Sequence, residues 1–406
     1  MVSAIPFSPG VFVLTSFSSN PEARAFDARQ AGLYLVSALK KSVHGVDALD
    51  AAAKAHPAYA TSVPVIAFAA ALDEPAPTAE LSRHLQSLDE EVFRTEAADH
   101  PYEGFHAVLD ELCSSSTKEG ADLREALVDG LARTNLDHWG HHVHFLSEFE
   151  GIQGALATLP VRVPEVACEQ LLRRLATDKL SKSAFESLVD ESPSEANDEL
   201  HYFARHFAQD PTNTFPLDWE NHSPVAAVEQ LVRVTEKSAP ARDAIVVSLS
   251  QQPRNSAIDL AAVQKAVPPF TSVVQAVDLY LAQVSAEKVL RYLATDRASK
   301  KSLSTLATAG GTKGNQDLRY FVEALSQNPA HVFSAGWDGR SPVSAIEQVV
   351  EATASSPETR EAVVTSLSNR LRTTRPDLEA VKSVAPAFST LITEANKIQQ
   401  AQSLAG

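Results

Sequence analysis

The sequence predicts an all-α protein of three tandem helical repeat units, stacked as an α-solenoid or as a row of helical bundles. Residues 167–270 and 285–388 align without a gap at a spacing of 118, with roughly 40 of the 104 positions identical. Apolar residues recur through both copies at three- and four-residue steps, the spacing of one helix face. Valines and isoleucines follow that spacing rather than alternating, so strand signals are nearly absent. A clear internal repeat sets the architecture ahead of any motif.

The elements follow in order from these steps. In the middle copy Leu171, Leu172 and Leu175, then Leu180, Phe185 and Leu188, then Leu200, Phe203 and Phe207 mark three short amphipathic helices. A loop with Pro211, Phe215, Pro216 and Trp219 intervenes. The steps resume at Val225, Val228, Leu231 and Val232, at Ile245, Val246 and Leu249, and at Leu260, Val263 and Val267. Pro268 and Pro269 end that run, and a last helix covers Phe270 to Leu281. Ser223 and Ser341 stand as N-caps before Pro224 and Pro342, where a missing N–H costs nothing. Asp259 and Asp377 also sit where an N-cap is wanted. The last copy repeats each step through Phe388 to Gln400.

A diverged copy precedes these two. Leu35, Val36 and Leu39 answer Leu171, Leu172 and Leu175; residues 108–113 answer 227–232; and residues 123–127 answer 241–245. An inserted stretch that includes the apolar run Val63 to Leu72 makes this first unit larger, as terminal units of an array tend to be atypical. The expected division is an N-terminal extension over 1–27 and helical units over 28–165, 166–284 and 285–406. Joints are expected near Leu159 to Pro164 and Ala282 to Ala286; the second lacks Gly and Pro, so one helix should run almost directly into the next unit.

Arg242-Asp243-Ala244-Ile245 and Arg360-Glu361-Ala362-Val363 each open a helix after a short turn. This pattern resembles the inner-helix signature of HEAT and armadillo repeats, over about a dozen residues per unit. The resemblance implies an α-solenoid with a concave, protein-binding surface; it carries over no binding residues.

Composition narrows the function classes. Hydrophobic residues make up 44% of 406, enough for packed cores. Against 35 basic residues stand 51 acidic ones, a formal charge of −16 that repels nucleic acid and anionic membranes unless a local basic patch overrides it. No run approaches the roughly 20 apolar residues needed to insert in a bilayer. Cys113 and Cys168 form no disulfide framework, and the N-terminus does not resemble a signal peptide, so a cytoplasmic location is expected.

Four histidines, His138, His141, His142 and His144, fall in seven positions. On a helix they share faces at a spacing that holds a divalent metal, or they are simply solvated, and neither later copy has histidine there. Trp219 and Trp337 lie in the best-matched segment of the two copies, placed either to anchor a partner or to plug a helix junction. Ala309 to Asn315 is glycine-rich but lacks the strand and the Gly-Lys-Ser/Thr order of a phosphate loop. The repeated polar positions Glu229 and Glu347, Arg242 and Arg360, and Asp259 and Asp377 suit caps and ion pairs. No nucleophile elbow or metalloprotease helix is present, and no cofactor is expected.

The leading expectation is therefore a non-enzymatic interaction scaffold or adaptor that binds a protein partner of basic or mixed charge through its helical-repeat surface. Two other classes remain open. One is a self-assembling shell, coat or filament subunit; the other is a metal-binding protein or enzyme using the histidine tract.

Overall fold

The computed structural model describes residues 21–57, 105–134, 146–191, 202, 222–251, 258–309, 316–327, 340–371 and 377–404. Every element among them is helical, so the chain is all-α. The described parts fall into two compact units, the first drawn from Met1–Arg242 and Pro253–Thr271, the second from Asp243–Gln252 and Ser272–Gly406.

In the first unit, α1 (Pro21–Lys41), α2 (Gly45–Ala55) and α4 (Lys118–Ala132) pack on one another, and α3 (Phe105–Ser114) packs on α4. Helix α4 starts where Thr117, in extended backbone, accepts the Gly120 N–H on Oγ1 at 3.2 Å. Its Gly130 lies against the Ala38 carbonyl of α1, where any Cβ would collide with backbone. Leu35, Leu39, Leu49, Leu109, Leu112, Leu123, Leu127 and Leu131 fill the core. Each contributes about 1.5–3 kcal/mol on burial.

Helix α5 (Glu150–Thr177) runs 28 residues, about 42 Å at 1.5 Å per residue. Against it pack α3, α4, α6 (Lys179–Glu191), α7 (Pro224–Thr235) and α9 (Leu260–Ala266), followed by a 3₁₀ turn at Pro268–Phe270. It passes straight through the expected joint at 159–164 as helix, although Pro160 and Pro164 each remove one i to i−4 donor. Burial of Ile152, Ala155 and Leu159 before the prolines and of Val166, Ala167, Cys168, Leu171 and Leu172 after them holds the segment helical.

Helix α8 (Ala239–Ser250) has residues in both units. In the second unit, α10 (Thr271–Thr295) covers the other expected joint, 282–286, without a break. Then come α11 (Arg297–Ala309), α12 (Gln316–Gln327), α13 (Pro342–Ser355), α14 (Pro357–Leu371), α15 (Leu378–Val384) and α16 (Phe388–Leu404). Leu290, Leu293, Leu303, Phe321, Ile346, Val363, Leu367, Phe388 and Leu391 lie in their shared core.

The duplicated segments repeat their hydrogen bonds as well as their residues. Asp178 and Asp296 each accept a backbone N–H on Oδ1, from Ser181 at 2.9 Å and Ser299 at 3.1 Å. Ser223 and Ser341 cap α7 and α13 through the N–H of Ala226 and Ser344. Asp259 and Asp377 cap α9 and α15 through Ala262 and Ala380. Thr235 and Thr353 turn their buried hydroxyls onto the carbonyls of Val232 and Val350. The turns before α10 and α16 close alike, Phe270 N–H to Val267 and Phe388 N–H to Ala385, each at 2.9 Å.

Candidate functional site

The residues singled out in sequence for chemistry lie mostly elsewhere. His138, His141, His142 and His144 fall outside the described residues, as do Trp219 and Trp337. Among the described residues no three His, Cys, Asp or Glu are grouped so as to hold a metal ion. The repeated polar positions have local roles: Asp259 and Asp377 are N-caps, Arg360 Nε donates to Glu394 at 3.0 Å, and Glu229 faces Arg233 at 3.9 Å.

The strongest electrostatic feature is a clasp between the end of α4 and one face of α5. Glu165, Glu169 and Arg173 recur at helical spacing on α5, with Arg162 one turn ahead. Arg133, just past α4, grips Glu169 with two donors at 3.2 and 2.7 Å and reaches Asp129 through Nε at 2.8 Å. Arg162 bridges Asp129 at 3.0 Å and Glu165 at 2.9 Å, and Arg173 closes on Glu169 at 2.8 Å. Asp129 is fully buried and Glu169 nearly so.

Burial opposes the charge on Arg133, but its hydrogen bonds to Asp129 and the Glu169 carboxylate more than offset this and raise its pKa. Burial dominates at Arg173, whose pKa is lowered despite Glu169. Among the described residues three guanidinium groups meet three carboxylates, so their charges balance. Its role is to lock α5 onto α4. The sequence hinted at it through pairs at helical spacing, Asp129 with Arg133, Arg162 with Glu165 and Glu169 with Arg173, the last of which recurs as Glu287 and Arg291 at 2.7 Å. Nothing local in the sequence tied Arg133 to a residue 36 positions away.

A second polar corner lies where α3 meets the start of α5. Phe149, the N-cap residue, has no capping side chain, and Asp110 of α3 supplies the missing acceptor. Its Oδ1 takes the N–H of Gly151 at 2.6 Å and of Ile152 at 3.1 Å. A Cβ at Gly151 would lie 2.6 Å from the Asp110 carbonyl oxygen, so only glycine lets α3 come this close. Burial raises the Asp110 pKa against those two hydrogen bonds.

One turn back on the same helix, His106 packs edge-on against Phe149 with ring centroids 4.6 Å apart. Burial depresses its pKa to about 3, so it stays neutral. Cys113 follows one turn after Asp110, but burial pushes its thiol up to about 12, as it does that of Cys168. At neutral pH His106 is therefore uncharged and the Cys113 and Cys168 thiols keep their protons.

The second unit carries an open groove of about 430 Å³ between α14 and α16, lined by Pro357, Arg360, Val364, Glu394, Lys397 and Ile398. Arg360 and Glu394 satisfy each other there, which leaves the groove without a converging polar set. No protein-family model, curated protein or solved structure matches the chain. No helix among the described residues is long and apolar enough to cross a membrane.

Proposed function

We propose that the chain is a non-enzymatic interaction scaffold, three helical units stacked as an α-solenoid akin to HEAT and armadillo arrays, that binds a protein partner in the cytoplasm. One observation carries this reading: the repeat preserves its inside and varies its outside. Caps and buried positions recur at the 118-residue spacing with the same hydrogen bonds. On α6 and α11, by contrast, exposed Leu180, Ser183 and Glu186 are answered by Ala298, Lys301 and Ser304. Duplication that keeps a packing scheme while releasing its surfaces yields faces that specialise for partners.

The test is capture of partners on the immobilised full chain, followed by titration calorimetry with each purified candidate. A saturable complex of defined stoichiometry is expected. Retention of no protein above control beads overturns the proposal, and concentration-dependent growth of the chain alone in light scattering favours a self-assembling subunit instead.

A further inference from the structure

Helix α11 departs from its duplicate in charge more than in shape. Its counterpart α6 carries Lys179 and Lys182 with Glu186, Asp190 and Glu191. In α11 the cations are Arg297, Lys300 and Lys301, and no acidic residue remains. The pair Lys182 and Glu186 of α6, 4.0 Å apart, becomes Lys300 and Ser304. Arg297, Lys300 and Lys301 are exposed, and no carboxylate among the described residues pairs with them.

The adjoining acid in the sequence is engaged as a cap. Asp296 caps α11, its Oδ1 accepting the N–H groups of Ala298 and Ser299 at 3.0 and 3.1 Å. Arg370 of α14 adds a cation at the same corner, donating to Thr295 Oγ1 at 3.0 Å. The inner face of α11 is anchored to α14 through Ser299 Oγ and the Ala362 carbonyl, also at 3.0 Å. Cations in the first turn of a helix oppose its dipole, so this arrangement weakens the helix that bears it. A chain of net charge −16 thus presents, at a stability cost, three exposed cations on one helix with no carboxylate ion-paired to them among the described residues.

We infer that the exposed face of α11 docks an acidic peptide segment of a protein partner. This rests on the scaffold reading and departs from the basic or mixed-charge partner that net charge alone suggests, because the local charge of α11 is opposite to that of the whole chain. Lys300 and Lys301 lie one turn from Arg297, so a segment with two or three carboxylates in close succession matches them. Long polyanions fit worse, because a nucleic acid must also run past the acidic remainder of the chain.

The experiment is fluorescence anisotropy on the full chain with a short, labelled peptide rich in Glu and Asp, and with its Gln and Asn equivalent. Saturable, salt-sensitive binding of the acidic peptide alone is expected. Arg297→Glu/Lys300→Glu/Lys301→Glu should weaken it by at least roughly tenfold, and Lys179→Glu/Lys182→Glu should leave it unchanged. The α11 variant should melt no lower than the wild type, since acids suit a helix N-terminus. Should it fail to fold, the same three residues changed to Gln give the readout. Undiminished binding by the folded variant overturns the inference, as does equal binding of the neutral peptide. So does tighter binding of a single-stranded oligonucleotide or an anionic vesicle through the same residues. A partner protein captured equally by wild type and variant overturns it while leaving the scaffold reading intact.

Discussion

At the scale of single residues, buried charge and burial-tuned histidine make the sharpest predictions. Removing one partner from the clasp leaves the others charged and desolvated, so Arg133→Met should cost about 3–5 kcal/mol in urea unfolding. A loss below about 1 kcal/mol would mean that water reaches Glu169 and Asp129, contrary to their burial. His106 makes a pH-dependent prediction. Its folded pKa of about 3 lies below the ordinary 6.5. Between those values the unfolded chain takes up a proton that the folded chain refuses. Stability is therefore complete above about 6.5 and is lost as pH falls toward 3, by at most about 5 kcal/mol for this group. His106→Leu should lose less stability than the wild type between pH 7 and pH 4.5. Equal losses would place the acid sensitivity in the carboxylates alone.

At the scale of elements, caps decide which short helices exist. Helices α9 and α15 have seven residues each, too few to persist without tertiary support and a cap. Asp259→Ala and Asp377→Ala should each cost about 1 kcal/mol and speed amide exchange at Ala262 and Ala380. Unchanged exchange at those amides would show that packing of Val263 and Val381 holds the turns by itself. These elements were legible in the sequence because their signals are local: Ser-Pro at 223–224 and 341–342 and an Asp before an apolar run name a helix start within four residues. The joint at 159–164 read as a linker because Pro160 and Pro164 are local breakers, while the core that overrides them is assembled from α3 and α4. Asp110 was legible as part of an apolar helix but not as the cap of α5, 41 residues on, because that acceptor is supplied across space.

At the scale of the whole molecule, the period of 118 foretold an all-helical chain, since every duplicated apolar step has helical spacing. The partner chemistry proposed for α11 was less legible, because it is argued from a difference between copies, the reversal of charge between α6 and α11, which a repeat search discounts. Net charge makes the remaining prediction. With 51 acidic against 35 basic residues the folded chain repels itself, and unfolding relieves the repulsion by spreading the charges. Added NaCl shortens the reach of these charges to about 10 Å at 0.1 M and less above it. It also weakens exposed pairs such as Lys54 with Asp50 and Lys382 with Glu379, but each of those is worth only about 0.2–1 kcal/mol. The desolvated clasp of Asp129, Arg133 and Glu169 is screened far less. The excess of like charge should therefore win, and Tm should rise by about 2–4 °C between low salt and 0.5 M NaCl, the shift that roughly 1 kcal/mol produces. A Tm that falls with NaCl would show that surface pairing outweighs the self-repulsion of the acidic chain.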